Sequence, residues 1–308
     1  MILTMTINPA VDKSTTVEKM IPEKKLRCEP PLIEAGGGGI NVSKAIRELE
    51  GESLAIFPAG GANGVLLQQL LSCSEVPYKA VPVAGETREN MTVTDLSVNA
   101  QYRFIMPGGA LSSAEIDACL EEVVAFQPAP QIIVASGSLP PGAPENFFAR
   151  LARIAKDKGS RLIVDTSGEP LQKAAREGVY LLKPNLSELC SLVDRDYLQL
   201  DEVATAARQV ISRGYCEILV ASMGPAGALL ISKDQQLQIP APIVKKLTTV
   251  GAGDSMVAGI AYMLEQQRPL AEVIRFGVAC GTAATMSRGT GLFKKADALK
   301  LYDWLKTV

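Results

Sequence analysis

Residues 132–165 of this 308-residue chain read IIVASGSLPPGAPENFFARLARIAKDKGSRLIVD, and this stretch decides the fold class. The runs Ile132-Ser136 and Arg161-Asp165 are short and aliphatic, which is typical of strands covered on both faces. Between them, Glu145-Lys158 has the periodicity of a helix that buries one face. The stretch therefore predicts two parallel strands joined by a helix.

The same alternation extends over most of the chain and predicts an α/β fold with a mostly parallel sheet. Further predicted strands are Ile2-Thr6, Leu54-Pro58, Tyr180-Lys183, Ile218-Ser222 and Ala228-Ser232. Further predicted helices are Ile40-Glu50, Ser113-Phe126, Ser187-Val193 and Asp201-Arg213, followed by three consecutive helices at Ser255-Gln266, Leu270-Met286 and Ala296-Lys306.

Two stretches, Lys13-Ile33 and Val81-Pro107, interrupt this alternation. They are strand-like and place polar residues at alternate positions, as at Thr92 and Thr94. We interpret them as a small accessory sheet, because half-exposed strands of this kind often form a lid or a dimer contact. The alternative is a pair of surface hairpins without a role.

Composition excludes several classes of function. The chain has 31 Lys and Arg against 33 Asp and Glu, so no overall charge attracts it to nucleic acid or to a membrane surface. It contains no histidine, which excludes hydrolases with an imidazole base and zinc sites of the histidine type. The N-terminus predicts no signal peptide, and no apolar run approaches the roughly 20 residues of a membrane span. Six scattered cysteines favour a reduced, cytoplasmic protein.

Three glycine clusters are candidate sites for a phosphate or a sugar, because glycine lets backbone N–H groups approach an anion closely. They are Gly36-Gly39, Gly60-Gly61 and Gly251-Gly253. The usual nucleotide fingerprints are absent: Gly137 and Gly142 have P-loop spacing but are followed by Ala143. A nucleotide would therefore bind by another scheme.

The segment Thr248-Ser255, TTVGAGDS, offers such a scheme. Gly251, Gly253 and Asp254 stand directly before a helical stretch, which places free N–H groups and one carboxylate at a single helix start. This pattern joins an anion cradle to a general base. The alternative is that Asp254 is only an N-cap.

The segment Lys183-Glu188, KPNLSE, follows a predicted strand and opens a helix. Asn185 and Glu188 lie three residues apart on one helical face, and their oxygens suit Mg²⁺, usually through water. Lys183 suits a phosphate. The alternative is an ordinary capping pattern at a helix start.

Together these segments resemble the ribokinase-like (PfkB) carbohydrate kinase family over essentially the whole chain, 1–308, in order. The resemblance rests on Gly36-Val42, Lys183-Asn185 with Glu188, Ser222-Gly227 and Thr249-Ser255. Five further segments resemble the phosphosugar branch: Asn8-Asp12, Lys25-Cys28, Phe57-Gly61, Gln101-Gly108 and Ser136-Gly142. The resemblance implies one ribokinase-like domain, a mostly parallel sheet sandwiched by helices, with lid strands approximately within 13–33 and 81–107.

The resemblance also implies a role for each matching residue. Asp254 would be the catalytic base, and the amides of Gly251, Ala252 and Gly253 would stabilise the transferred phosphoryl group. The acceptor sugar phosphate would be held by Asp12, Lys25, Arg27, Gly37, Gly38, Asn41, Arg88, Arg103 and Ser138. The alternative for the basic residues is a set of solvated surface charges.

ATP would be held by Lys183, Asn185, Ser222, Gly224, Gly227, Thr249, Gly251, Gly253 and Ser287, where Ser287 opens a loop, 287–291, similar to one near the adenine. Asn185 and Glu188 would hold Mg²⁺ through water, and Thr248 and Val250 would offer carbonyls to a monovalent cation, K⁺.

The implied reaction is ATP-dependent phosphorylation of fructose 6-phosphate at its C1 hydroxyl. Tagatose 6-phosphate and fructose 1-phosphate remain alternative acceptors, and a catalytically silent sugar-phosphate sensor is the alternative from another class. The resemblance implies a homodimer through the lid sheets.

Overall fold

The computed structural model describes residues 1–287 and 292–307. Thirteen strands lie in this part of the chain, in two separate sheets. They are β1 (Ile2–Met5), β2 (Ala10–Val17), β3 (Leu32–Gly36), β4 (Ser53–Ala59), β5 (Tyr78–Pro82), β6 (Arg88–Asp95), β7 (Ala100–Ile105), β8 (Ile132–Ser136), β9 (Arg161–Asp165), β10 (Val179–Leu182), β11 (Cys216–Ser222), β12 (Ala228–Ser232) and β13 (Gln236–Ile239).

The helices of the described residues flank the larger sheet. They are α1 (Gly38–Glu48), α2 (Gly61–Cys73), α3 (Ser113–Ala125), α4 (Phe147–Asp157), α5 (Gly168–Arg176), α6 (Leu186–Leu192), α7 (Val203–Ser212), α8 (Ala252–Glu265), α9 (Leu270–Ala284) and α10 (Lys295–Leu305). None of them is both long and apolar enough to cross a bilayer.

The larger sheet has nine strands in the order β13-β12-β11-β10-β9-β8-β1-β4-β5. Its strands are parallel from β11 to β5, whereas β12 and β13 continue it as antiparallel strands at one edge. The mostly parallel α/β fold predicted from the sequence is therefore confirmed. Because the parallel strands share one direction, their carboxyl ends lie along a single edge, where α/β proteins bind ligands.

Side chains of the central strands alternate between two hydrophobic cores. Leu3 and Ile133 face a core shared with α3 to α7, whereas Ile2 and Val134 face a core shared with α1, α8, α9 and α10. Both faces of the sheet are thus buried under helices, which explains why these strands are aliphatic throughout.

The smaller sheet, here called the lid, has the order β3-β2-β6-β7. β2 and β6 pair in parallel from Ala10↔Arg88 to Val17↔Asp95, and β3 and β7 flank them as antiparallel strands. Val11 and Ala35 anchor its base in a third hydrophobic cluster with α1 and α2.

The boundaries of the lid differ from the sequence prediction. β2 begins at Ala10, and residues 18–31 form an exposed loop in which only Cys28 makes an isolated bridge, with Val17. Within 81–107 the lid strands are restricted to β6 and β7. Hydrophobic periodicity did not reveal α2, α5, β5 or β13. For α2 the reason is that apolar residues lie around most of its circumference, so no single face stands out.

Candidate active site

Asp254 lies in the first turn of α8, at the carboxyl edge of the larger sheet. Its Oδ2 accepts a hydrogen bond of 2.9 Å from Nδ2 of Asn41, and its Oδ1 lies 3.5 Å from the donating Oγ of Ser136 at the end of β8. The N-cap of α8 is Gly251, without a side-chain cap, so Asp254 is not a capping residue. The helix begins at Ala252, three residues before the predicted Ser255, which brings Asp254 inside its first turn.

The surroundings of Asp254 raise its pKa to about 6, chiefly because burial disfavours the charged carboxylate. The negative charge of Asp165 adds to this increase, whereas the hydrogen bond from Asn41 and the charge of Lys183 oppose it. A carboxyl group with such a pKa is a stronger proton acceptor than an exposed aspartate and is still ionised at neutral pH.

The turn before α8 presents backbone N–H groups beside this carboxylate. Gly251 adopts φ 73°, a left-handed conformation that glycine tolerates without strain. A Cβ built on Gly253 would lie 3.7 Å from Nζ of Lys183, so an anion at this turn would approach both the amides and an ammonium group.

Lys183 follows β10 and is 5% exposed. Its Nζ forms an ion pair of 3.2 Å with Oδ1 of Asp165, the last residue of β9. Burial alone would lower the pKa of Lys183, but the charge and hydrogen bond of Asp165 raise it above its ordinary value. The ammonium therefore stays charged next to the glycine turn.

Asn185 and Glu188 form a capping box at the start of α6. Oδ1 of Asn185 accepts from N–H of Glu188 at 2.9 Å, and Oε2 of Glu188 accepts from N–H of Asn185 at 2.8 Å. The capping alternative thus describes the observed geometry. The two capping hydrogen bonds leave other lone pairs of these oxygens free. The free lone pairs can accept hydrogen bonds from the water shell of a Mg²⁺ ion. Burial and the nearby Asp165 raise the pKa of Glu188, so a cation here would relieve repulsion between two carboxylates.

Within the described residues, no cluster of three or more acids or cysteines is arranged to enclose a metal ion directly. This agrees with the donor set at Asn185 and Glu188, which has too few protein oxygens to surround a divalent cation by itself.

A cavity of about 570 Å³ opens beside the glycine turn. Ser222, Gly224, Gly227, Thr249 and Gly253, all predicted for the nucleotide, line it. Its remaining walls are mostly apolar and come from the turn between β11 and β12, from the loop before α8, and from α8 and α9 with the residue that follows α9: Pro225, Ala241, Pro242, Ile243, Val244, Lys246, Ala252, Met256, Val278, Gly281, Thr282 and Thr285. Such walls suit a planar apolar ring.

Ser287 and Thr248, predicted for the nucleotide and for a monovalent cation, do not line this cavity but follow Thr285 and precede Thr249, which do. Oγ of Ser287 donates to the carbonyl of Leu292 at 2.6 Å, and residues 288–291 of the predicted adenine loop lie outside the described residues. Thr248 is buried, and its Oγ1 accepts a hydrogen bond of 3.1 Å from N–H of Val250.

On the lid side of Asp254, Asp12 lies over the glycine-rich turn between β3 and α1. A Cβ on Gly36 would overlap its carboxylate, so glycine at this position allows Asp12 to keep its place. Oδ1 of Asp12 accepts from Nδ2 of Asn90 at 2.8 Å, and burial raises the pKa of Asp12. Gly37 has φ 111°, and a Cβ on Gly38 would overlap Oγ of Ser136. Asp12, the glycine turn and Asn41 therefore border the same space as Asp254.

Two of the predicted arginines approach this space from the lid. Arg88 donates from Nη1 to the carbonyl of Met106 at 2.9 Å and from Nη2 to that of Asn8 at 3.1 Å. Arg103 donates from Nη2 to Oγ1 of Thr249 at 2.9 Å, which links the lid to the loop before α8. Ser138 is exposed and lies with Arg88 in the walls of one cavity.

Lys25 and Arg27 lie in the exposed loop between β2 and β3. Neither forms an ion pair with any residue in 1–287 or 292–307. The segment that carries them is a loop rather than a lid strand, and their place beside Arg88 and Arg103 stays a prediction.

Sequence reasoning missed four polar residues of this site: Lys44, Asn90, Ser136 and Asp165. Ser136 and Asp165 are the last residues of two predicted parallel strands, and a polar residue at that position could have indicated them. Asn90 and Lys44 had no comparable signal, because their approach to Asp12 depends on how β6 and α1 pack.

The described residues thus bring together a buried carboxylate with a raised pKa, a glycine-rich helix start and a cavity of about 570 Å³, an arrangement that suits a small-molecule kinase. Arabidopsis thaliana ribokinase complexed with ribose and ATP matches the fold with a TM-score of 0.75 at 17% identity, over 98% of each chain. The fold is therefore ribokinase-like.

The family model "pfkB family carbohydrate kinase" matches residues 4–296, and the chain belongs to this family of ATP-dependent sugar kinases. The chain is 43% identical over 305 residues to ATP-dependent 6-phosphofructokinase isozyme 2 of Escherichia coli K12, covering 99% of this chain and 98% of that one. The structure of Escherichia coli phosphofructokinase-2 in complex with fructose-6-phosphate matches with a TM-score of 0.94 at 42% identity, over 99% of each chain. That relative also has structures with potassium and in a tetrameric inhibited form.

Proposed function

We propose that this protein is an ATP-dependent 6-phosphofructokinase, which transfers the terminal phosphoryl group of ATP to the C1 hydroxyl of fructose 6-phosphate. The observation that carries the proposal is the position of Asp254, between the nucleotide cavity and the space bordered by Asp12 and Asn41. The similarity to the Escherichia coli isozyme 2 supports the choice of acceptor.

In the proposed reaction, Asp254 accepts the proton of the C1 hydroxyl as that oxygen attacks the terminal phosphorus of ATP. The bond from this phosphorus to the bridging oxygen breaks, and ADP leaves. The N–H groups of Gly251, Ala252 and Gly253 stabilise the negative charge on the transferred group, and fixed donors of this kind cost little reorganisation during the reaction.

The acceptor is held at both ends. Asp12 and Asn41, with the backbone of Gly37 and Gly38, hold the sugar hydroxyls on the Asp254 side. The basic groups on the lid side hold the 6-phosphate, because a nearly doubly charged anion needs fixed cations. These groups are Arg88, Arg103, Ser138, Lys25 and Arg27. Arg88 and Arg103 exchange their present hydrogen bonds for phosphate oxygens.

On the nucleotide side, Lys183 and Asn185 face the phosphates, and Ser222, Gly224, Gly227, Thr249 and Ser287 surround the nucleoside. Asn185 and Glu188 would hold Mg²⁺ through water, and the bound ion would neutralise charge on the ATP phosphates. Thr248 and Val250 would offer their backbone carbonyls to a monovalent cation such as K⁺. All six cysteines are free, which suits a reducing, cytoplasmic setting.

A panel of acceptors with ATP and Mg²⁺, scored by product identity, tests the proposal. We expect fructose 6-phosphate to give the highest kcat/KM and fructose 1,6-bisphosphate as product. A higher kcat/KM for tagatose 6-phosphate or fructose 1-phosphate would contradict the proposal and identify the protein as the corresponding kinase. Binding of a sugar phosphate without ATP turnover would instead identify a silent sensor.

We further propose that the protein is a homodimer through the lid sheets. Nine large apolar side chains in the lid strands and the residues next to them are at least 36% exposed: Leu32, Ile33, Met91, Leu96, Val98, Tyr102, Phe104, Ile105 and Met106. Met91 and Phe104 are direct cross-strand neighbours, so they form one apolar surface. Exposed apolar surfaces of this size are typical of protein interfaces.

Phe104→Asp tests the dimer, because a carboxylate buried in an apolar interface is strongly unfavourable. We expect the wild-type protein to sediment as a dimer and the variant to sediment as a monomer at micromolar concentration. Val124→Asp is the matched control, since Val124 is 52% exposed on α3 outside the lid. A Phe104→Asp variant that remained a dimer would contradict this interface.

A further inference from the structure

Lys44 is a buried lysine that the proposed reaction does not use. It lies on α1, one helical turn after Asn41, and its side chain is 15% exposed. Its Nζ donates a hydrogen bond of 2.9 Å to the carbonyl of Ala35 and lies 3.8 Å from Oε1 of Glu34. A lysine is rarely buried to this extent unless it is paired, so its surroundings require an explanation.

Those surroundings are acidic. Asp12 on β2 and Glu34 on β3 are directly opposite each other in the lid, so their side chains lie on the same face of the sheet. Like charges at this position repel each other. Asp254 on α8 contributes a third negative charge. Burial lowers the pKa of Lys44, and the attraction of the three acids opposes this decrease.

The lysine is also connected to the glycine-rich turn. The carbonyl of Ala35 precedes Gly36, and the Asp12 carboxylate lies directly over Gly36. One ammonium group thus contacts both the backbone that shapes this turn and one of the two opposed acids.

We propose that Lys44 is a positioning residue for the acceptor site: its buried ammonium balances the opposed Asp12 and Glu34 carboxylates and holds the backbone at Ala35, so that Asp12 stays ionised and directed at the sugar. This inference rests on the proposed function, since it concerns the hydroxyl-binding side of the same site. Lys44 acts through Asp12 and does not itself contact the substrate.

The charged and titratable groups around this cluster come from several elements. Asp12 faces Lys44, Glu34, Arg88 and the amide of Asn90. Asp254 faces Asp165, Lys183, Asp12 and the amide of Asn41. On the outer side of Lys44, one cavity is lined by Arg47, Glu48, Glu50 and Lys295.

Lys44→Met removes the charge and keeps much of the apolar stem. We expect the KM for fructose 6-phosphate to rise about 10-fold or more, while the KM for ATP stays within about 3-fold, because the lost charge lies on the acceptor side.

The pH profile gives a second readout. In the wild type, kcat/KM should fall tenfold per pH unit below about pH 6, because the raised pKa of Asp254 brings protonation of the base into this range. We call this fall in kcat/KM at low pH the acid limb. In the variant the acid limb should move to a higher pH by about half to one unit at low ionic strength, because removing a cation favours protonated carboxyl groups.

Two further variants separate charge balance from packing. Lys44→Met with Glu34→Gln removes both members of the ion pair, so we expect it to restore part of the lost affinity for fructose 6-phosphate and to return the acid limb toward the wild-type pH. Glu34→Gln alone should move that limb downward, and this result remains informative even where Lys44→Met does not fold. Lys295→Met is the control, since Lys295 lines the same cavity but pairs with Glu50 at 2.5 Å.

Wild-type turnover of fructose 6-phosphate tests the proposed function separately. Given that turnover, an unchanged acid limb in Lys44→Met and in Glu34→Gln would overturn the positioning role. Equal increases in the two KM values would do the same, because they would indicate general damage to the fold.

Discussion

Asp254→Asn is expected to abolish turnover while it leaves both ligands bound. The amide has nearly the same shape as the carboxylate but cannot accept the hydroxyl proton, so kcat should fall by at least the roughly 10²–10⁴-fold that a positioned base contributes. The oxygen of the new amide can accept from Nδ2 of Asn41 while its nitrogen donates to Oγ of Ser136, so the surrounding hydrogen bonds need little adjustment. The measurement is kcat from steady-state kinetics, with ligand affinities from calorimetry.

The same substitution should stabilise the fold at neutral and alkaline pH. The pKa of Asp254 is raised to about 6 in the folded protein from an ordinary value of 3.8, so the charged form is disfavoured on folding. This destabilisation is fully present above about pH 6 and disappears as the pH falls toward 3.8. Allowing for partial solvent access, the gain for Asp254→Asn is on the order of 1–3 kcal/mol at pH 8.

Thermal unfolding of the wild type and Asp254→Asn between pH 5 and pH 8 gives the control for this result. The difference in the free energy of unfolding should shrink as the pH falls below about 6. An inactive variant that was less stable than the wild type at every pH would indicate a structural rather than a chemical role for the carboxylate. Unchanged turnover would exclude Asp254 as the base.

Lys183→Met is the second substitution with a large expected effect. Asp165 is 15% exposed, and removal of its partner leaves a mostly buried, unpaired carboxylate. Breaking a buried ion pair in this way costs about 3–5 kcal/mol. Loss of the cation beside Gly253 should also lower kcat/KM for ATP by roughly 10²–10³-fold, since charge on the phosphates is no longer compensated.

A double variant separates these two effects. Lys183→Met with Asp165→Asn removes both charges, so most of the stability should return while turnover stays low. Lys156→Met is the control for the loss of one positive charge, because Lys156 is exposed on α4. A double variant that recovered activity together with stability would show that Lys183 acts only through the fold. Denaturant unfolding and ATP-dependent kinetics on the same preparations decide between these outcomes.

The sequence predicted the larger sheet well because its strands carry a strong local signal. Ile132-Ser136 and Arg161-Asp165 match β8 and β9 residue for residue, since strands buried on both faces must be aliphatic throughout. The lid was less predictable. Residues 18–31 were expected to be largely strand, but strand pairing in the lid depends on the remote β6, which local pattern does not report.

In the candidate site too, some residues could be predicted from local sequence and others could not. Asp254 and Lys183 were found from glycine spacing and from their place at a helix start or strand end. Lys44 and Asn90 were not found, because their roles depend on which strands and helices become neighbours.

The parallel pairing of β2 with β6 joins residues 78 positions apart, from Ala10↔Arg88 onward. Closing so long a loop is entropically costly unless the intervening β4, α2 and β5 have already brought its ends together. Assembly of the lid should therefore come late in folding, after the body of the protein has formed. We expect the same dependence to make the lid a region of sub-global opening, which would then expose the space beside Asp12 and Asn41.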